Sequence, residues 1–303
     1  MSVKLHGLVA ATHTPFHSDG SLNLGAVEAQ AEHLLSVGVK LAFIGGTTGE
    51  SQSLTVEERL ELGQRWMDVA RGTEMGVIVH VGSNCIADAV TLARQAQRLD
   101  ASAISAIAPS YFKPRSLDLL IDCCAEVAAA APGLPFYYYD IPPLTGVSFS
   151  MPEFLAKAPA RIPTLAGIKY SNPDMMAYIL CLQAEGGRWD LPFGIDEAML
   201  SGLATGANGF VGSSYNFAAP IYNRLIAAFR ANDLIAARTE QLRSALVIRT
   251  LAAHGYMGAA KAVMQMLGVA VGPARLPNGN LNAAQTAALR TELDALGFFE
   301  WVK

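Results

Sequence analysis

Seven lysines occur in this 303-residue chain, and only Lys169 closes an apolar run, at the end of "TLAGIK" (164–169). An ammonium kept in apolar surroundings loses hydration, and its pKa falls. The neutral amine so produced is a nucleophile toward carbonyl carbon. The plainer reading is a strand-end lysine whose stem lies on apolar surface while its head reaches water. Upstream, "PFYYYD" (135–140) read as a strand puts Tyr137 and Tyr139 on one face and Tyr138 on the other. A tyrosine at the mouth of a site passes a proton through its hydroxyl, or it is simply an aromatic wall.

A third stretch, "GGTTGES" (45–51), offers backbone N–H groups and the hydroxyls of Thr47 and Thr48, uncharged donors that suit a carboxylate. It lacks the lysine of a nucleotide-binding P-loop, and a tight turn with helix-capping threonines explains it equally well. The histidines (His6, His13, His17, His33, His80, His254) show no HExxH or comparable spacing. His13 and His17 are the only pair close enough to consider, and no metal is expected.

Residues like these need a rigid frame. The chain is 51% hydrophobic and 16% charged with net charge −4, enough for a large core and too little basic charge for nucleic acid. Cys85, Cys123, Cys124 and Cys181 lack metal-type spacing and read as reduced core or helix residues. The N-terminus has no basic-then-apolar signal pattern and no run is long enough to span a bilayer, which predicts a soluble cytoplasmic protein without membrane partners.

Eight short apolar segments alternate with helical patterns: "GLVAATH", "LAFIGG", "GVIVHVG", "AISAIAP", "PFYYYD", "TLAGIK", "DLPFGI" and "ANGFVG". Strand–helix alternation at a repeat of about 28 residues predicts an α/β fold, a (β/α)8 TIM barrel, over residues 1–233. An open doubly wound sheet is the alternative, disfavoured by the missing dinucleotide fingerprint. Residues 234–303 carry only helical patterns and read as an appended C-terminal bundle. In such a barrel the chemistry lies at the C-terminal strand ends. Those ends are "GGTTGES", "PSYFKP", "YYYDIPPLTG", Lys169, "GIDE" and "GSSYN". Period two along strand six groups Leu165, Gly167 and Lys169 on one face, with Gly167 leaving room beneath the lysine stem.

In that order, "GGTTGES", "YYYDIPPLTGV", "GIKYSNPD" and "GIDEAMLSGLATGANGFVGSSYN" resemble the family of dihydrodipicolinate synthase and N-acetylneuraminate lyase, class I pyruvate aldolases. The resemblance covers nearly the whole chain. It implies Lys169 as Schiff-base lysine, Tyr139 as the tyrosine that moves the substrate proton, and Thr47 and Thr48 beside the pyruvate carboxylate. Thr47 also joins a proton relay in the synthases. Tyr111 corresponds to a relay tyrosine shared across a subunit interface, through a one-residue shift near Lys113, and a homotetramer is implied with it.

Details lean toward the lyase branch. Leu144 stands where synthases place an arginine for a dicarboxylate. Asp196 and Glu197 match the acidic pair that holds the polyol tail of a sialic acid, Ser213 another tail-binding hydroxyl, and Gly194 a backbone contact. Asp140 departs from the asparagine or histidine of lyases, and Ser171 from a common threonine. The implied reaction is reversible cleavage of a 2-oxo sugar acid, N-acetylneuraminate first, to pyruvate and N-acetylmannosamine, with no cofactor. Alternatives are dihydrodipicolinate synthesis, another 2-oxo acid aldolase or dehydratase, and a non-catalytic barrel that binds a small acid.

Overall fold

Parallel strands that are buried on both faces lose their polar signature and read as continuous apolar runs. The computed structural model describes residues 4–303, and its strands are of that kind. They are β1 (Gly7–Ala11), β2 (Leu41–Ile44), β3 (Gly76–His80), β4 (Ala103–Ile107), β5 (Phe136–Asp140), β6 (Leu165–Tyr170) and β7 (Gly209–Gly212). All pair in parallel in the order β6-β5-β4-β3-β2-β1-β7. Alternation divides their side chains into two clusters. Val9, Ala11, Phe43, Ile78, Tyr137, Tyr139 and Val211 fill the barrel interior. Leu8, Ala42, Ile104, Tyr138 and Ile168 face the surrounding helices.

The seventh expected strand, "DLPFGI", is not a regular strand. It crosses the gap between β6 and β7 by isolated bridges, Gly167 to Asp190, Tyr170 to Phe193 and Phe193 to Phe210. Pro192 explains part of this, because it has no N–H to give to a ladder. The segment still closes the barrel: the N–H of Tyr170 donates to the Pro192 carbonyl (2.9 Å) and that of Phe193 to Gly209 (2.9 Å). The fold is a TIM barrel with C-terminal helices, with a seam where the seventh of eight strands was expected.

Strand β6 corrects a second expectation. Phe136 faces Leu165, but Tyr137 faces Gly167, so Ala166 is a bulge. Leu165 therefore packs outward with the helices while Gly167 and Lys169 turn inward. Gly167 does not make room for the lysine stem. A Cβ there would lie 1.7 Å from the Asp190 carbonyl oxygen, so it is the seam that requires glycine.

The helices outside the barrel are cut to length by their caps. Thr55 and Glu58 form a reciprocal capping box at the start of Val56–Ala70, and Asn282 and Gln285 repeat it at Ala283–Leu296. Beyond residue 233 come Leu234–Ala253, Tyr256–Met266, Ala283–Leu296 and the short Phe298–Trp301. Among the described residues no helix is long and apolar enough to cross a membrane.

Candidate active site

Lys169 sits at the C-terminal end of β6, and inward alternation aims its stem across the barrel mouth. Its Nζ lies 3.8 Å from the ring centroid of Tyr139 and 4.0 Å from that of Phe43. Only 4% of the residue is exposed. Burial pushes its pKa below the ordinary lysine value, and this outweighs the opposing pull of Tyr139 and Asp196. The snorkelling alternative is thereby excluded, because the amine is enclosed.

Tyr139 projects from β5 toward the same space, its ring edge-on to Phe43 at 5.9 Å. Its hydroxyl stands 3.4 Å from Thr47 Oγ1. The turn after β2 brings Thr47 and Thr48 to the mouth, where both line the cavity. Beneath it, His80 Nδ1 lies 2.9 Å from the Gly45 carbonyl oxygen, so that nitrogen carries the proton. Burial, with Arg59 and Lys169 nearby, holds His80 well below its usual pKa, and it stays neutral under the amine.

The cavity has a volume of about 520 Å³. Thr47, Thr48, Tyr139, Lys169, Ser171, Gly194, Asp196, Glu197 and Ser213, nine of the ten residues singled out from the sequence, line it. Leu144 stands at its rim, 63% exposed. Tyr111 is the exception. It is 78% exposed, outside the cavity, with its ring edge-on to Phe112 at 5.0 Å and its N–H donating to Asn84 Oδ1 (3.0 Å).

The two acidic residues behave differently. Glu197 is exposed, whereas Asp196 is buried, and desolvation raises its pKa. Asp196 Oδ2 accepts from the Ser214 N–H (2.9 Å) and hydroxyl (2.5 Å), and that hydroxyl continues to Tyr222 and Ser244. Its Oδ1 packs where a Cβ on Gly212 would stand, so this glycine is needed for close approach. Asp196 thus anchors the seam loop as well as lining the cavity.

Tyr256 and Met257 come from the first turn of helix Tyr256–Met266 and also line the cavity, with Ile248. Tyr256 OH lies 2.7 Å from Ser213 Oγ. Sequence reasoning misses them because it reads the C-terminal helices as an appended bundle. The available signal was "HGYM": a glycine at φ +78 that ends one helix and leaves a tyrosine at the start of the next.

His13 is fully buried with its pKa lowered to about 3, first by desolvation and then by Lys261, while His17 is exposed. The two do not converge. No cluster of three or more metal-ligating side chains occurs among the described residues. Cys85 is exposed at a helix start, Cys123 half-buried, and Cys124 and Cys181 buried.

The model of the dihydrodipicolinate synthetase family matches residues 4–296. The chain belongs to this family. Among its relatives in the family, N-acetylneuraminate lyase A of Xenopus laevis is 41% identical over 277 residues, 90% of each chain. N-acetylneuraminate lyase of Gallus gallus is 39% identical over 297 residues, 97% of this chain and 96% of that one. The solved Proteus mirabilis N-acetylneuraminate lyase superposes with a TM-score of 0.95 at 42% identity, covering 98% of this chain and 100% of the other.

Proposed function

We propose that the protein is a class I aldolase that reversibly cleaves N-acetylneuraminate to pyruvate and N-acetylmannosamine. The observation that carries the reading is the buried amine of Lys169, held against Tyr139 at the floor of a cavity that has carboxylate donors on one side and acceptors on the other. A cavity of about 520 Å³ is far larger than a three-carbon acid requires. Its size and the kinship with N-acetylneuraminate lyases favour a long sugar acid.

Neutral Lys169 attacks the C2 carbonyl of the open-chain substrate, and the carbinolamine, protonated by the Tyr139 hydroxyl, loses water to give an iminium and a phenolate. Tyr139 then takes the proton of the C4 hydroxyl. The C3–C4 bond breaks, its electrons pass into the iminium to give an enamine, and C4 leaves as the aldehyde. Protonation of the enamine at C3 and hydrolysis release pyruvate and restore the amine. Thr47, beside the Tyr139 hydroxyl, hands protons on, and Thr48 with the turn amides holds the carboxylate. Glu197, Asp196, Ser213, Ser171 and the Gly194 backbone receive the tail.

The barrel through residue 233 carries the chemistry, and residues 234–303 complete one wall. The working assembly is a homotetramer of the cytoplasm, in which Tyr111 reaches a neighbouring subunit's relay. Light scattering at micromolar concentration checks the assembly, with a fully active monomer the contrary result. For the chemistry, borohydride with pyruvate is expected to add a reduced pyruvyl mass to the Lys169 peptide. An unmodified peptide would sink the Schiff-base reading. Pyruvate release across a panel of 2-oxo acids then identifies the substrate. Condensation with aspartate semialdehyde is the expected negative, because Leu144 offers no charge to a second carboxylate.

A further inference from the structure

We propose that the buried Lys261–Glu50 pair is a positioning device for the carboxylate-binding turn, through which the C-terminal helices set affinity for the 2-oxo acid head. The ligand named here rests on the aldolase reading; the device itself rests on the following contacts.

Glu50 ends the turn "GGTTGE" in the left-handed region, φ 53° and ψ 35°, which a residue with a Cβ adopts only when its surroundings impose it. Its N–H donates to Thr47 O (3.0 Å), and the next N–H, of Ser51, to Gly46 O (3.2 Å). The backbone of Thr47 and Thr48 is therefore fixed by what fixes Glu50. The Glu50 side chain is fully buried and is not among the residues that line the Lys169 cavity. Oε1 lies 2.7 Å from Lys261 Nζ, whose side chain is 1% exposed. Oε2 accepts from the Arg275 N–H (2.8 Å) and from Asn278 Nδ2 (3.1 Å).

Lys261, on helix Tyr256–Met266, also donates to the carbonyls of Thr14 (2.9 Å) and Pro273 (2.8 Å). The Thr14 hydroxyl returns to Gly49 O (2.6 Å), inside the turn. Three segments far apart in sequence thus meet behind the two threonines, and neither Glu50 nor Lys261 lines the cavity.

A buried ion pair is a poor source of stability, because desolvating both charges offsets their attraction and an apolar pair of similar volume serves as well. What the charges add is direction. Three donors on one ammonium and four lone pairs on one carboxylate define a single arrangement of the turn.

The test is the double variant Glu50→Leu/Lys261→Met, made so that no lone charge is left buried. Half-saturation for pyruvate in borohydride trapping, KM for the aldehyde in condensation, and the melting temperature are measured beside wild type. The expected result is a folded protein whose pyruvate half-saturation rises about 10-fold, the size of a lost charge-assisted contact. The aldehyde KM and the trapping rate at saturation change much less. An unchanged pyruvate half-saturation, or equal rises for pyruvate and aldehyde, overturns the inference.

Thr14→Val covers the case in which the double variant does not fold. It removes only the hydroxyl on Gly49 O and is expected to shift pyruvate half-saturation about 3-fold in the same direction, with no shift the contrary result. Wild type that traps no pyruvate overturns the aldolase reading and this inference together. Wild type that traps, with Thr14→Val unshifted, overturns the inference alone.

Discussion

Tyr137 and Tyr139 stand two residues apart on β5, point into the same barrel, and live in opposite circumstances. The Tyr137 hydroxyl donates to Asp190 Oδ2 (2.7 Å), an oxygen that also accepts the Leu5 N–H (2.6 Å). Burial and the Asp190 charge push its pKa far above the normal tyrosine range. The Tyr139 hydroxyl has a long contact, 3.4 Å to Thr47 Oγ1, interacts with the Lys169 amine, and opens onto the cavity. A proton carrier needs an incomplete hydrogen-bond set and a path to substrate. A structural tyrosine needs the reverse. On the proposed reading one strand carries both, with the filled half below and the open half above.

The largest effect that sharpens this contrast is at Lys169. Lys169→Arg keeps a cation but supplies no neutral amine, since guanidinium stays protonated. Turnover and pyruvate trapping are expected to vanish in a protein folded by circular dichroism. Retention of more than about 10% of the rate, a barrier change below ~1.4 kcal/mol, would mean another residue attacks.

Next comes the tyrosine pair itself. Tyr139→Phe should lower kcat about 10²–10⁴-fold, the usual contribution of a general acid–base group, while trapping persists. Tyr137→Phe should leave kcat nearly intact and reduce stability by about 1–3 kcal/mol, because Asp190 loses a buried donor. Steady-state kinetics and denaturant melts on both variants read this directly. Equal kcat losses would erase the distinction.

Smaller again is the effect on the tail. Glu197→Gln should raise KM for N-acetylneuraminate roughly 5- to 150-fold, with pyruvate trapping unchanged. Asp196→Asn is expected to differ in kind. Its carboxylate already accepts two hydrogen bonds from Ser214, so melting temperature should fall along with affinity. A shift confined to KM at both positions would place Asp196 wholly in the substrate site.

Asp140, the next residue on β5, faces outward. Burial raises its pKa to about 6, against a smaller lowering by the Asn172 amide, which donates to Oδ2 at 2.9 Å. Below pH 4 folded and unfolded chains both hold this proton. Between about 4 and 6 the unfolded chain ionises first, so rising pH removes stability. Asp140→Asn should therefore stabilise the fold at pH 8 by up to about 3 kcal/mol, the equivalent of a two-unit shift. That gain should disappear by pH 4. Thermal melts of both proteins across that range provide the check, and a gain independent of pH is the contrary result.

Period-two patterning on β5 and the lysine at the end of β6 were legible because each depends on local alternation. So were the glycine–threonine turn and the acidic pair, which lie at strand ends. The bulge at Ala166 was not legible: it is imposed by the seam segment around Asp190, which arrives more than twenty residues later. Tyr256 was hidden for a similar reason, since only tertiary packing brings that helix start to Ser213. The double role of Asp196 depends on Ser214, eighteen positions away, and no spacing announces it. Local periodicity reveals which face a residue takes. It does not reveal what the opposite segment will demand of it.

The same seam and its neighbour β7 have a consequence during synthesis. Strand β1 finds one partner early, at Leu41 to Phe43, but its other partner is β7, where Gly7 pairs with Gly209. Chains leave the ribosome at about 5–20 residues per second, so that edge of β1 waits on the order of 10–40 s for its mate. Until then a row of unpaired amides and carbonyls is open to other nascent chains. Expression temperature and chaperone supply, rather than final stability, should govern how much of this protein reaches its closed form.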